Sequence, residues 1–274
     1  MLNKLGLTTS FAMGTALLLA SFASQTEPSP SSEYPAPNIR EEQEVVVGGV
    51  AEVWQLKWTT PPKSICGPTS ADWWICPCAG FAFGETGHLT LLRMRGGTEI
   101  DHLDLTPFCG QREMGNGRLP VVQRWQPEDK DFEASKRQDF PALVAKRRIV
   151  QVMQFADYEH DGSRSEFYWQ IDTLPCGKSI GIVIGVSRRN PRLHVLGAVS
   201  KPGSPAYMQR EAWDALRRAS GPIEVVAWGC GDHGAETEMR LWLRWTPEGV
   251  DGTIREYSCP EDNKRATLLH EKPL

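Results

Sequence analysis

The chain lacks the short signatures by which many hydrolases and nucleotide enzymes announce themselves. It has no His-Glu-x-x-His pair for a catalytic zinc, no glycine loop opening a helix to cradle phosphate, and no Cys-x-x-Cys-His for haem. No run of basic residues with interleaved aromatics occurs, and the net charge of −4 has the wrong sign for a nucleic-acid surface. Nucleic acid is therefore not an expected partner. Past the N-terminus, no apolar run is long enough to cross a membrane as a helix. Acid pairs for sugar hydrolysis could be drawn from the 34 carboxylates, but their spacing singles out no two of them.

What is there begins with an export signal. Lys4 supplies a small positive region, Leu5 to Phe22 an apolar stretch, and Ser21-Phe22-Ala23 the small residues that a signal peptidase reads. Residues 1–23 are thus expected to be a cleaved leader, placing the protein in the periplasm or outside the cell. No cysteine follows the stretch, so a lipid anchor is not expected.

In an oxidising compartment the seven cysteines are expected to form up to three disulfides and leave one thiol. Cys230 with Cys259, and Cys66 with either Cys76 or Cys78, are the pairings favoured by position. A zinc site at Cys76-Pro77-Cys78 lacks a second close Cys or His pair.

Residues 24–44, rich in Pro, Ser and Glu, are expected to be a disordered linker. Residues 45–125 should form a β-rich, cysteine-containing part. Within it Trp54, Leu56 and Trp58 alternate with Gln55 and Lys57, and Gly96-Gly97 joins two strands of a hairpin. Residues 126–148 are dense in charge and suit short helices and loops as a connector. Residues 149–260 should again be β-rich. There Ile180, Ile182, Ile184 and Val186 share one strand face, while Gly181 and Gly185 leave the other face bare for a close neighbour. One clear helix is expected near 205–219, with Ser204 as cap and Pro205 in its first turn. Residues 261–274 are expected to be an exposed tail. The fold class is mainly β: antiparallel sheets in a sandwich or a partial, propeller-like array.

The most chemically pointed stretch is Asp157-Tyr158-Glu159-His160-Asp161-Gly162-Ser163-Arg164-Ser165-Glu166, between the apolar runs Ile149 to Phe155 and Phe167 to Ile171. Acids at alternate positions before a glycine can wrap oxygens around a hard cation. Over about twenty residues this resembles the calcium loop of FG-GAP and VCBS-type repeats. The resemblance implies side-chain oxygens from Asp157, Glu159 and Asp161, a carbonyl from Ser163, and the sharp bend at Gly162. The family usually has Asp or Asn where Glu159 stands and an acid where Ser165 stands. Glu166, one place later, joins the ligands if the loop bulges. Tyr168 at the twelfth position excludes an EF-hand.

A second resemblance points to chemistry. Cys66-Gly67-Pro68-Thr69-Ser70 is similar to the nucleophile motif of papain-like peptidases that process bacteriocins. That likeness implies Cys66 as thiolate, His88 as base and Asp104 as orienting acid. Only 21 residues separate Cys66 from His88, and they carry no helical pattern. The sequence therefore favours an exported, non-enzymatic binding or structural protein that takes an extracellular or envelope ligand, with calcium as the expected ion. A secreted hydrolase is the alternative.

Overall fold

The computed structural model describes residues 38–68, 78–109, 119–174, 178–260 and 266–274. The leader, most of the linker, Cys76 and Cys176 lie outside the described residues. Among the described residues the fold is mainly β, with four antiparallel sheets.

The first sheet follows from alternation. Strands β1 (Ile39–Val47), β2 (Val50–Trp58), β5 (Leu89–Arg95) and β6 (Thr98–Asp104) pair in that order. Trp54, Leu56 and Trp58 of β2, with Leu89 and Leu91 of β5, are wholly buried on its inner face. A small sheet of β3 (Lys63–Ile65), β4 (Gly84–Thr86) and β7 (Val121–Gln123) stands apart from it. It borders a separate cluster in which Phe83 meets Phe140 and Val144 of α2 (Phe140–Val144); the short α1 (Asp131–Ala134) precedes that helix.

The central layer is β8 (Glu166–Thr173) and β9 (Ser179–Gly185). Two short strands, β10 (His194–Val195) and β11 (Met208–Gln209), run along the other edge of β9. This layer is covered on both faces. Phe167, Trp169, Ile182 and Ile184 join the core of the first sheet. Tyr168 and Val183 face Ala212, Trp213 and Leu216 of α3 (Arg210–Arg218). Beyond them lies the fourth sheet, β12 (Ile223–Trp228), β13 (Thr237–Thr246), β14 (Gly249–Ser258) and β15 (Leu268–Pro273), contributing Leu241, Leu243 and Val250.

The two glycines of β9 sit where neighbouring backbone and ring atoms press close. A Cβ on Gly185 would fall onto the Ser165 carbonyl and lie 2.6 Å from Glu166 Cα; one on Gly181 would strike the Tyr168 ring. Gly185→Ala is expected to cost about 2 kcal/mol, because the obstacle is backbone and cannot rotate away. Urea denaturation checks it; an unchanged midpoint would mean that β8 yields freely.

Several expectations are corrected or refined. The linker does not run to residue 44, because β1 begins at Ile39. Its acids and Arg40 look solvated in sequence but have distant partners. Arg40 is buried against Glu85 and donates to the Gln123 and Val150 carbonyls. Glu41 accepts from Val152 N and Met153 N. Those two bonds hold residues 152–153 against β1, so the apolar run Ile149 to Phe155, expected within a β-rich part, forms no strand of its own. The tail is exposed over Leu268–Pro273 as expected, but it is ordered: β15 pairs with β14 and is followed by a buried Leu274. The helix starts at Arg210 rather than near Pro205, because Met208 and Gln209 pair with Gly181 and Ile180 of β9.

Two disulfides close loops at opposite ends of the chain. Cys66 joins Cys78 with Cα atoms 5.1 Å apart, and Cys230 joins Cys259 at 5.6 Å. The second is the pairing favoured by sequence, and the first is one of its two alternatives. Among the described residues Cys109 is a free thiol; burial, with Asp172 and Asp104 nearby, pushes its pKa up to about 12. It is an inert sulfur.

A buried ion network ties the first sheet to the turn after β9. Glu52 accepts from Arg93 at 2.8 and 2.9 Å, from Arg95 at 2.7 Å and from Trp54 Nε1 at 3.1 Å. Arg93 donates onward to the Pro191 carbonyl at 2.6 Å, and Asp101 accepts Leu193 N at 2.6 Å. The turn Ser187 to Arg192 is thereby fixed from below.

Candidate functional site: the acidic loop

The loop is closed at its base by a bridge, in which Ala156 and Glu166 exchange backbone hydrogen bonds. Within it the aspartates act as turn-makers. Asp157 accepts from Asp161 N at 3.1 Å and Gly162 N at 2.9 Å. Asp161 accepts from Ser163 N at 2.7 Å and from Arg188 N, across the gap to the next turn, at 2.7 Å. Gly162 has φ +84°, so the sharp bend falls where the spacing places it.

Glu166 opens β8 with its side chain fully buried. One carboxyl oxygen accepts Tyr158 N at 2.8 Å. Burial first, and then the charges of Asp161, Glu159 and Asp157, push its pKa up to about 8, although the Tyr158 N–H favours the ionised form. Glu159 turns to His194, with Nε2 and Oε1 3.5 Å apart. Burial works against the imidazolium, yet Glu159 and the Arg192 carbonyl hold the His194 pKa above its usual value. Ser163 Oγ meets Ser165 Oγ at 2.7 Å.

The expected ligands Asp157, Glu159, Asp161, Ser163 and Glu166 therefore share one loop but point to different partners. Among the described residues no group of three or more His, Cys, Asp or Glu side chains is placed to hold a metal ion. Nor is any Lys or Arg side chain there ion-paired with Asp157, Asp161 or Glu166; the loop's carboxylate bridge is that of Glu159 to His194.

Glu159 and His194 line a cleft of about 470 Å³ with Arg189, Asn190 and Glu248, floored by Phe108 and Leu196. Sequence reasoning misses this cleft because its walls come from loops far apart in the chain.

The peptidase constellation does not form. The Cys66 sulfur is bonded to Cys78, so no thiolate exists there. His88 Nδ1 lies 3.4 Å from Thr106 Oγ1, and Asp104 accepts Thr106 N at 2.9 Å. A further pattern, Gly177-Lys178-Ser179-Ile180-Gly181, has the Gly-x-Ser-x-Gly spelling of a hydrolase elbow and was open to sequence reasoning. An elbow needs a strand, a tight turn and then a helix. Ser179 instead begins β9, which stays extended to Gly185.

Among the described residues no helix is long and apolar enough to cross a membrane. The chain matches no family model, no curated protein and no solved structure.

Proposed function

We propose that this is an exported, non-enzymatic binding or structural protein whose acidic loop takes one calcium ion as a pin between two strands. The observation that carries the ion is charge. Four carboxylates lie within ten consecutive residues, three of them without a cationic side-chain partner among the described residues, and one, Glu166, is fully buried. A divalent cation would relieve the repulsion among the ionised acids and displace the proton that Glu166 otherwise keeps until about pH 8. Each oxygen of Asp157 and Asp161 keeps a lone pair beyond the one given to a backbone N–H, so the turn can stay closed while it ligates. Glu159 would have to swing away from His194. The ion would neutralise charge and stiffen the loop; it would do no chemistry. Two disulfides support a life in an oxidising compartment. The bonded state of Cys66 speaks against the cysteine-peptidase form of the hydrolase alternative.

Calcium titration followed by thermal melting tests this reading. At tenfold the dissociation constant, calcium should add about 1.4 kcal/mol. For a domain of this size that raises the midpoint by about 3–6 °C. The shift should vanish in Asp157→Ala and Asp161→Ala. A shift that survives both substitutions places the ion elsewhere. No shift in the parent leaves a turn held by hydrogen bonds alone.

A further inference from the structure

A second groove, of about 700 Å³, runs along the other side of the acidic loop. One wall is the β1–β2 turn, from Val46 to Gly49. The rest of the lining is Gly162 to Ser165 together with Val186 to Arg188 and Pro191. The lining carries two guanidinium groups, Arg164 and Arg188, and no acidic side chain. Arg189 follows on the same turn.

Several arginines elsewhere in the fold are matched with acids: Arg93 with Glu52, Arg147 with Asp131, Arg244 with Asp251, Arg255 with Glu271. Arg164 and Arg188 have no carboxylate within ion-pair distance among the described residues; the head group of Arg164 donates to the Phe155 carbonyl at 3.2 Å. The neighbouring aspartates are occupied by main chain. Asp161 takes Ser163 N with one oxygen and Arg188 N with the other, so a single carboxylate fixes these two segments of the lining. It positions the arginine backbones without pairing their side chains.

We propose that this groove binds an organic oxyanion: a carboxylate, sulfate or phosphate ester on a small organic body. Guanidiniums without a carboxylate partner offer an oxyanion paired N–H bonds that fit its geometry. The chain as a whole is acidic, at −4, so the patch is not part of a generally basic surface. A volume of about 700 Å³ far exceeds one inorganic ion and falls within the roughly 300–1,000 Å³ of sites for organic ligands. The β1–β2 turn suits such a body. Positions 48 and 49 are bare, with nothing within 4 Å of where a Cβ would stand, and Val46 beside them is 63% exposed. The proposal rests on the binding half of the reading above and is independent of calcium.

The test uses the mature full-length protein in resin-treated, calcium-free buffer, so that it succeeds or fails separately from the calcium titration. Calorimetry is run with trigalacturonate, glucose 6-phosphate and inorganic sulfate. Two double variants of equal charge are compared: Arg164→Gln/Arg188→Gln in the groove, and Arg148→Gln/Arg218→Gln on exposed surface elsewhere. Unchanged melting confirms that both fold. At least one organic anion should bind, more tightly than sulfate. Its affinity should fall about tenfold or more in the groove pair and less than about twofold in the other. The proposal is overturned if no organic anion binds, if sulfate binds as tightly as the organic probes, or if both double variants weaken binding equally.

Discussion

Glu52→Gln is expected to lower stability by about 3–5 kcal/mol at neutral pH, the usual cost of removing one partner from a buried ion pair. Glu52 is buried and faces the guanidiniums of Arg93 and Arg95, with Arg93 itself buried. A neutral amide leaves Arg93 desolvated and short of charge; Asp101 remains, at 3.5 Å. Burial tends to raise the Glu52 pKa, but the bonds from Arg93, Arg95 and Trp54 together bring it below the usual carboxylate value. The unfolded chain therefore takes up this proton at a higher pH than the folded protein. The stabilisation from Glu52 is present above the unfolded pKa and is lost as pH falls through the folded one. The gap between parent and variant should thus be widest at pH 7 and narrow toward pH 3. Urea denaturation at both values measures it. A gap below about 1 kcal/mol at pH 7 would show that the network contributes little. Because Arg93 also holds the Pro191 carbonyl, the variant should weaken oxyanion binding in the groove as well.

What could be read from the chain depended on how far away each residue's partner lies. Trp54, Leu56 and Trp58 needed only their own alternation to reveal a half-buried strand. The bare face of β9 was legible for the same reason, and so was the Gly96-Gly97 hairpin. Arg40 and Glu41 were not legible, because what they bond to is the main chain near residues 123, 150 and 152. In isolation they look like solvated charge. Ser204 and Pro205 gave a sound local helix signal, but pairing of Met208–Gln209 with β9 overrode it. The acidic loop divides along the same line. Its bend at Gly162 was written in the spacing, whereas the aim of each carboxylate was set by partners outside the loop: Arg188 N for Asp161 and His194 for Glu159. The oxyanion groove lay furthest out of reach. Its walls come from residues 46–49 and 162–191, and only the folded chain brings them together.

Glu166→Gln is expected to stabilise the protein in alkaline solution, which is unusual for the loss of a charge. In the fold the Glu166 carboxyl keeps its proton until about pH 8, whereas in the unfolded chain it ionises near the ordinary 4.5. Between those values the folded state holds a proton that the unfolded state has released. Stability must then fall as pH rises from about 4.5 to about 8, and stay at the lower level above that. With each pH unit worth about 1.4 kcal/mol, the full loss is about 5 kcal/mol. Glutamine cannot ionise, and its amide oxygen can still accept Tyr158 N–H. Parent and variant should therefore be nearly equal at pH 4, while at pH 9 the variant should be more stable by a few kcal/mol. Urea denaturation across that range, in calcium-free buffer, gives the comparison directly. Equal stability at pH 9 would mean that water or a cation already reaches the carboxylate. A variant that is weaker at every pH would mean that the carboxyl proton itself is needed, as a donor that glutamine does not replace.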